Sequence, residues 1–190
     1  MVEFLVSTGV VALAEIGDKT QLLALVLAAR FRKTWPIVLG ILCATVVNHG
    51  LAGAVGTLAA WLIDAGVLRW LLGLSFLAMA VWVLVPDRLD GEEADAVTRH
   101  GVFVTTFVSF FLAEMGDKTQ IATVALAAQY NAPLLVVAGT TLGMLIADVP
   151  AVFVGGRLGE KLPLKVIRIV AALLFALLGV ATLLVAPVVP

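Results

Sequence analysis

Apolar residues fill this chain in six long blocks separated by short polar breaks. Crossing the hydrocarbon core of a bilayer takes about 20 mostly apolar residues in a helix. The blocks at 4–29, 35–63, 67–85, 102–128, 133–154 and 164–185 have about that length or more, and they predict six transmembrane helices. The one long polar stretch is 87–100, with five acids against two arginines and hence a charge of -3. It reads as an exposed, solvated connector.

A repeat underlies this pattern. Sliding the sequence by 99 residues lays Leu13–Gln21 on Leu112–Gln120, with eight of nine positions identical and only Ile16 and Met115 different. The same offset pairs Phe4 with Phe103, Gly40 with Gly139, Gly56 with Gly155, Arg69 with Arg168 and Phe76 with Phe175. The expected organisation is a three-helix repeat at 1–86, an acidic cytoplasmic loop at 87–100 and a second three-helix repeat at 101–190. Three is odd, so the second repeat enters the membrane from the opposite side. An all-α membrane protein with two inverted-topology repeats is therefore expected, its site near the midplane between them.

Lys and Arg set the orientation. The loops on the far side from the termini carry Arg30, Arg32, Lys33, Arg88, Arg99, Arg157, Lys161, Lys165 and, at a helix edge, Arg168. The near side carries only Arg69. Positive residues gather in the cytoplasm, which predicts both termini on the non-cytoplasmic side.

Composition agrees with a membrane protein. Of 190 residues 62% are hydrophobic and 13% charged, against about half and about a quarter in soluble domains. A net charge of -1 and the lack of a basic cluster argue against nucleic acid as a partner. Cys43 is the single cysteine, which excludes an internal disulfide and a thiolate cluster. The first block is long, carries two acids at its centre and has no positive charge before it, all unlike a signal peptide.

Those acids carry the candidate chemistry. Glu15 and Asp18 fall mid-way along the first block, Glu114 and Asp117 mid-way along the fourth. Ionisable residues at that depth are costly and face an interior, a partner or a pathway. In a continuous helix, Glu15, Asp18 and Gln21 share one face, as do Glu114, Asp117 and Gln120. Brought together, four carboxylates and two amide oxygens converge, with the Thr20 and Thr119 hydroxyls beside them. An all-oxygen set suits a hard divalent cation such as Ca²⁺, Mn²⁺ or Mg²⁺. Carboxylates held that close repel one another, so proton and metal compete for them. Gly17 and Gly116 allow either close helix approach or a locally opened backbone. Lys19 and Lys118, four residues after Glu15 and Glu114, are expected to pair with acids; Glu–Lys pairs within each helix would make the motif structural instead.

His49 in the second block aligns with Asp148 in the fifth. Either His49 carries protons, with Asp148 joining that relay or the cation site, or each makes an interhelical hydrogen bond. The glycines of these two blocks read as packing residues. Trp35, Trp61, Trp70 and Trp82 fall mainly near block ends, as interface anchors do.

Two copies of Glu-hydrophobic-Gly-Asp-Lys-Thr, Glu15–Thr20 and Glu114–Thr119, in duplicated halves resemble one family. It is that of the human transmembrane protein 165, yeast Gdt-type proteins and bacterial manganese exporters of the MneA type. The resemblance spans essentially the whole chain. It implies a secondary transporter of Mn²⁺ and/or Ca²⁺ that exchanges for protons, with the motif acids and threonine hydroxyls forming the cation site. It implies export across the inner (cell) membrane, no cofactor beyond the transported ion, and no enzymatic activity. Nothing in the sequence matches a metalloprotease helix, a nucleophile elbow or a phosphate loop. The rival readings are a cation channel lined by the same acids, an exporter of small organic solutes recognised through the lysines, and a membrane scaffold.

Overall fold

The computed structural model describes residues 1–85, 101–154 and 164–184. Among them every regular element is an α-helix. In chain order these are α1 (Val2–Glu15), α2 (Lys19–Phe31), α3 (Thr34–Leu62), α4 (Ala65–Trp82), α5 (Val102–Glu114), α6 (Lys118–Tyr130), α7 (Pro133–Val154) and α8 (Leu164–Leu184). The acidic connector at 87–100 lies outside the described residues, as do Gly155, Gly156, Arg157 and Lys161.

Four helices, α3, α4, α7 and α8 from Lys165, are long and apolar enough to cross a membrane. The other four are shorter, and here the expectation of continuous helices over 4–29 and 102–128 needs correction. Each of those blocks is two helices, broken inside the Glu-x-Gly-Asp motif. Glu15, Asp18 and Gln21 therefore do not share the face of one helix, and neither do Glu114, Asp117 and Gln120. Gly17 (φ 82) and Gly116 (φ 76) take left-handed backbone that a side chain disfavours. The flanking residues are extended: Ile16 at φ -64 and ψ 114, Asp18 at φ -83 and ψ 170. Met115 (-64, 118) and Asp117 (-78, 167) repeat them.

The 99-residue offset thus holds in the backbone. Lys19 plus 99 is Lys118 and Phe31 plus 99 is Tyr130, so α2 maps onto α6 end for end. Both helices stop at a left-handed residue, Arg32 (φ 52) and, 99 later, Asn131 (φ 48). Helices α3 and α7 begin at Thr34 and Pro133, and α4 and α8 at Ala65 and Leu164, again 99 apart. Local sequence explains these starts. The Asp64 carboxylate accepts from the Gly66 and Val67 amides at 2.9 and 3.3 Å, capping α4. Pro133 opens α7, where its missing N–H costs nothing.

Packing runs mainly between the repeats. Helix α1 lies along α7 and α5 along α3; α2 meets α7 and α6 meets α3; α4 pairs with α8. Two equivalent close approaches hold this exchange. A Cβ on Gly139 would sit 2.5 Å from the Phe4 carbonyl and 3.0 Å from Ser7 Cβ. One on Gly40 would sit 3.0 Å from the Phe103 carbonyl and 2.7 Å from Thr106 Cβ. Phe4 and Phe103, like Ser7 and Thr106, are 99 apart, so the two crossings are copies. Small residues at helix crossings are how apolar helices pack when lipid is as oily as the side chains. Phe76 and Phe175 are fully buried in the core between α4 and α8.

Candidate cation site between the two helix breaks

The breaks in α1–α2 and α5–α6 put both motifs at the centre of the fold. Where helix ends, backbone amides lose their partners. The Gly17 amide donates instead to the Gln21 side-chain oxygen at 2.9 Å, and the Gly116 amide to the Gln120 oxygen at 2.7 Å. Each glutamine amide then donates outward, Gln21 to the Ala147 carbonyl at 2.9 Å and Gln120 to the Asn48 side chain at 3.2 Å. Asn48 and Ala147 are again 99 apart. Asn48 itself donates to the Phe111 carbonyl at 3.0 Å. The glutamines therefore fix the breaks against the second repeat's α7 and the first repeat's α3.

The glutamates end the helices that precede the breaks, and both are fully buried. The Thr20 hydroxyl donates to Glu15 Oε2 at 2.6 Å and the Thr119 hydroxyl to Glu114 Oε2 at 2.9 Å. Among the described residues the other oxygen, Oε1, of each glutamate has no hydrogen-bond partner. Glu15, Glu114 and Asp117 each bring a carboxylate oxygen within 4.8 Å of the others. Two of these acids come from one motif and one from the other.

The lysines do not pair with the glutamates four residues before them. They cross between the motifs. Lys118 Nζ lies 2.6 Å from Asp18 Oδ1, and Lys19 Nζ lies 3.7 Å from Asp117 Oδ1. The helix breaks explain this, because the i, i+4 geometry within one helix no longer exists at the motif. Pairing with an acid was legible in the sequence; the partner was not.

His49 and Asp148 are fully buried on α3 and α7, with no hydrogen-bond partner among the described residues. The interhelical hydrogen bonds that are the alternative to a relay are thus absent among those residues. Asp148 lies within electrostatic reach of Glu15, Asp18 and Glu114. The Arg168 guanidinium donates to the freed Gly17 carbonyl at 3.3 Å, a contact the sequence signalled only through its match with Arg69.

A sequence profile described as divalent cation/proton antiporter GDT1 matches residues 3–91 and 102–188. The chain belongs to the GDT1 family. A Vibrio cholerae protein named "Putative manganese exporter" is 53% identical over 178 residues, covering 93% of this chain and 88% of its own length. A Synechocystis protein named "GDT1-like protein sll0615" is 34% identical over 198 residues, covering 90% and 92%. In rice, "GDT1-like protein 4" is 32% identical over 198 residues, covering 90% of this chain and 69% of the relative. No solved structure matches. The GDT1 family is one of divalent cation/proton antiporters, so the chain is a transporter by kinship. Each arm of the profile contains one of the two broken motifs, so both GDT1 repeats contribute to the carboxylate cluster, Glu15 from the first and Glu114 with Asp117 from the second.

Proposed function

We propose that this GDT1-family protein exports a divalent cation, Mn²⁺ and/or Ca²⁺, from the cytoplasm in exchange for protons, holding the ion between the two helix breaks near the membrane midplane. The carrying observation is the cluster of Glu15, Glu114 and Asp117 oxygens within 4.8 Å, with Oε1 of both glutamates unpartnered. A buried glutamate held by a single hydroxyl, with its other oxygen unpartnered, requires neutralisation. A hard cation does this by direct coordination and a proton by covalent attachment, and the two exclude each other on one oxygen. Competition for the same oxygens is the basis of antiport.

Glu15, Glu114 and Asp117 are the primary ligands in this scheme. Asp18 is the fourth acid and exchanges between Lys118 and the ion. Thr20 and Thr119 orient the glutamates, while Gln21 and Gln120 hold the breaks and lend amide oxygens. Lys19 and Lys118 balance the aspartates. Asp148, beside Glu15, and His49 at the equivalent place form the proton path. The donor set is all oxygen, which favours Mn²⁺ and Ca²⁺ over ions that seek sulfur or imidazole.

In the membrane, α1 with α2 and α5 with α6 each make one crossing. Two helices of 14 and 13 residues, at about 1.5 Å per residue, together reach about 40 Å. With α3, α4, α7 and α8 this gives six crossings in two inverted repeats. Non-helical backbone at such depth is tolerated where it is buried in protein and lines a site. The positive-inside rule puts both termini outside the cytoplasm, across the inner membrane. The Vibrio relative's name supports manganese as one cargo. The organic-solute alternative needs a lysine free to meet a carboxylate, but both lysines lie against Asp18 and Asp117.

The test is Mn²⁺ and Ca²⁺ uptake into proteoliposomes of the purified protein, with and without a pH gradient. Uptake that follows the gradient and disappears in Glu114→Gln supports the antiporter. Flux that ignores the gradient points to a channel. No flux of either ion sinks the proposal.

A further inference from the structure

The two motifs are copies in sequence and backbone, yet their surroundings differ. At the first, Arg168 of α8 donates to the Gly17 carbonyl at 3.3 Å, and Lys118 holds Asp18 at 2.6 Å. At the second, the equivalent arginine is Arg69 of α4. Among the described residues Arg69 makes no hydrogen bond to Gly116, and its Nε is buried without a partner. Lys19 stands off from Asp117 at 3.7 Å. The break itself is uncovered there: Gly116 is exposed and Met115 is 57% exposed, while Gly17 and Ile16 are only partly exposed. Arginine and lysine thus report the same asymmetry independently, one at the backbone and one at the carboxylates.

A duplicated chain with identical motifs can adopt two such arrangements, related by exchanging the roles of its repeats. The carbonyl freed by each break needs a donor, and a guanidinium is the strongest available. Arg69 and Arg168 begin at opposite ends of the inverted repeats, α4 and α8, which pack against each other. A slide of that one helix pair would withdraw one guanidinium as it advances the other.

We propose that Arg168 and Arg69 are gating residues that alternately cap the Gly17 and Gly116 carbonyls during transport, and that the structure holds the state with the first motif capped. The proposal rests on the cation/proton antiport reading given above. Removing Arg168 destabilises the present state, and removing Arg69 destabilises its mirror image. The two substitutions therefore shift the populations in opposite directions.

Single thiols read this directly. In a Cys43→Ser background, Ile16→Cys and Met115→Cys are labelled with a membrane-impermeant maleimide, using right-side-out and inverted vesicles. Arg168→Ala should raise labelling at position 16 relative to 115 by about tenfold, the effect of one lost charge-assisted hydrogen bond. Arg69→Ala should move the ratio the other way. Both should slow Mn²⁺ exchange in proteoliposomes, since the cycle needs both states, and Arg168→Lys and Arg69→Lys should restore part of the rate. Lys variants replace any Ala variant that fails to run as a folded peak on gel filtration. Shifts in the same direction, or none, overturn the alternating cap. Absence of transport by the unsubstituted protein overturns the antiporter instead, and the labelling ratio still tests the gate.

Discussion

The Lys118 ammonium lies 2.6 Å from the Asp18 carboxylate, across the boundary between the two repeats. Its mirror contact, Lys19 to Asp117, is 1.1 Å longer, 3.7 against 2.6 Å. The tighter pair has side chains only 3% and 1% exposed, the looser one 19% and 5%. The crossed pairs tie the second half-helix of each motif to the break of the other. They also leave the glutamates free of lysine, so the charge balancing the aspartates does not cancel the glutamates.

Breaking the tighter pair should be costly. A buried charge deprived of its partner typically loses about 3–5 kcal/mol. Lys118→Met is therefore expected to lower the melting temperature of the detergent-solubilised protein sharply. Asp18→Asn combined with Lys118→Met should recover much of it, because no lone charge remains. Lys19→Met, at the longer contact, should cost clearly less. Equal losses for the two lysines would contradict the asymmetry.

The glutamates predict a graded pair of effects. Glu15→Gln and Glu114→Gln keep the acceptor for Thr20 and Thr119 but remove the charge a cation needs, so each should abolish Mn²⁺ transport with little change in stability. Thr20→Val and Thr119→Val leave the carboxylate and remove only the hydroxyl that orients it. Loss of such an outer partner costs about 10–100-fold in metal affinity. Binding of Mn²⁺ by titration calorimetry separates the two classes. A threonine variant as damaging as its glutamate would make the hydroxyl a direct ligand.

How much of this was legible beforehand follows from where the information lies. Hydropathy gave the blocks that become α3, α4, α7 and α8, because burial in lipid constrains nearly every residue of a long helix. The repeat offset implied two equivalent halves, while the matching helix ends and the left-handed pair Arg32 and Asn131 emerge only in the structure. The breaks at Gly17 and Gly116 were visible only as one option. A glycine in an apolar block is also an ordinary packing residue, and Leu13–Gln21 has no proline to force an interruption. The crossed Lys–Asp pairs were invisible for a different reason. Spacing along a helix names partners within that helix, and these partners are set by how two repeats meet. The arginine at Gly17 likewise has no local signature, only its match to Arg69.

Glycine substitutions distinguish strain from crowding. A Cβ on Gly116 would meet nothing within 4 Å, so Gly116→Ala bears only the cost of φ 76, about 1–2 kcal/mol. Gly116→Asn should cost less, since asparagine tolerates left-handed backbone. Gly139→Ala has no φ penalty but drives a methyl to 2.5 Å from the Phe4 carbonyl in α1. Overpacking of that kind costs about 1–3 kcal/mol, and asparagine there should be worse than alanine. Thermal unfolding of the four variants checks the opposite ordering of alanine and asparagine at the two sites.

Asp148 separates ion binding from proton coupling. It is fully buried on α7, neither oxygen has a hydrogen-bond partner among the described residues, and it lies within electrostatic reach of Glu15. It is not one of the three acids whose oxygens converge. If it passes protons to the site, Asp148→Asn should keep Mn²⁺ binding and Mn²⁺/Mn²⁺ exchange while pH-gradient-driven uptake falls severalfold. His49, at the equivalent place in α3, should show the same split in His49→Gln, because a neutral amide cannot carry a proton across the gap. Exchange and gradient-driven uptake are measured in the same proteoliposomes with radioactive Mn²⁺. A parallel loss of both would assign Asp148 to the cation site itself, and no loss of either would leave it as a residue of the helix interface.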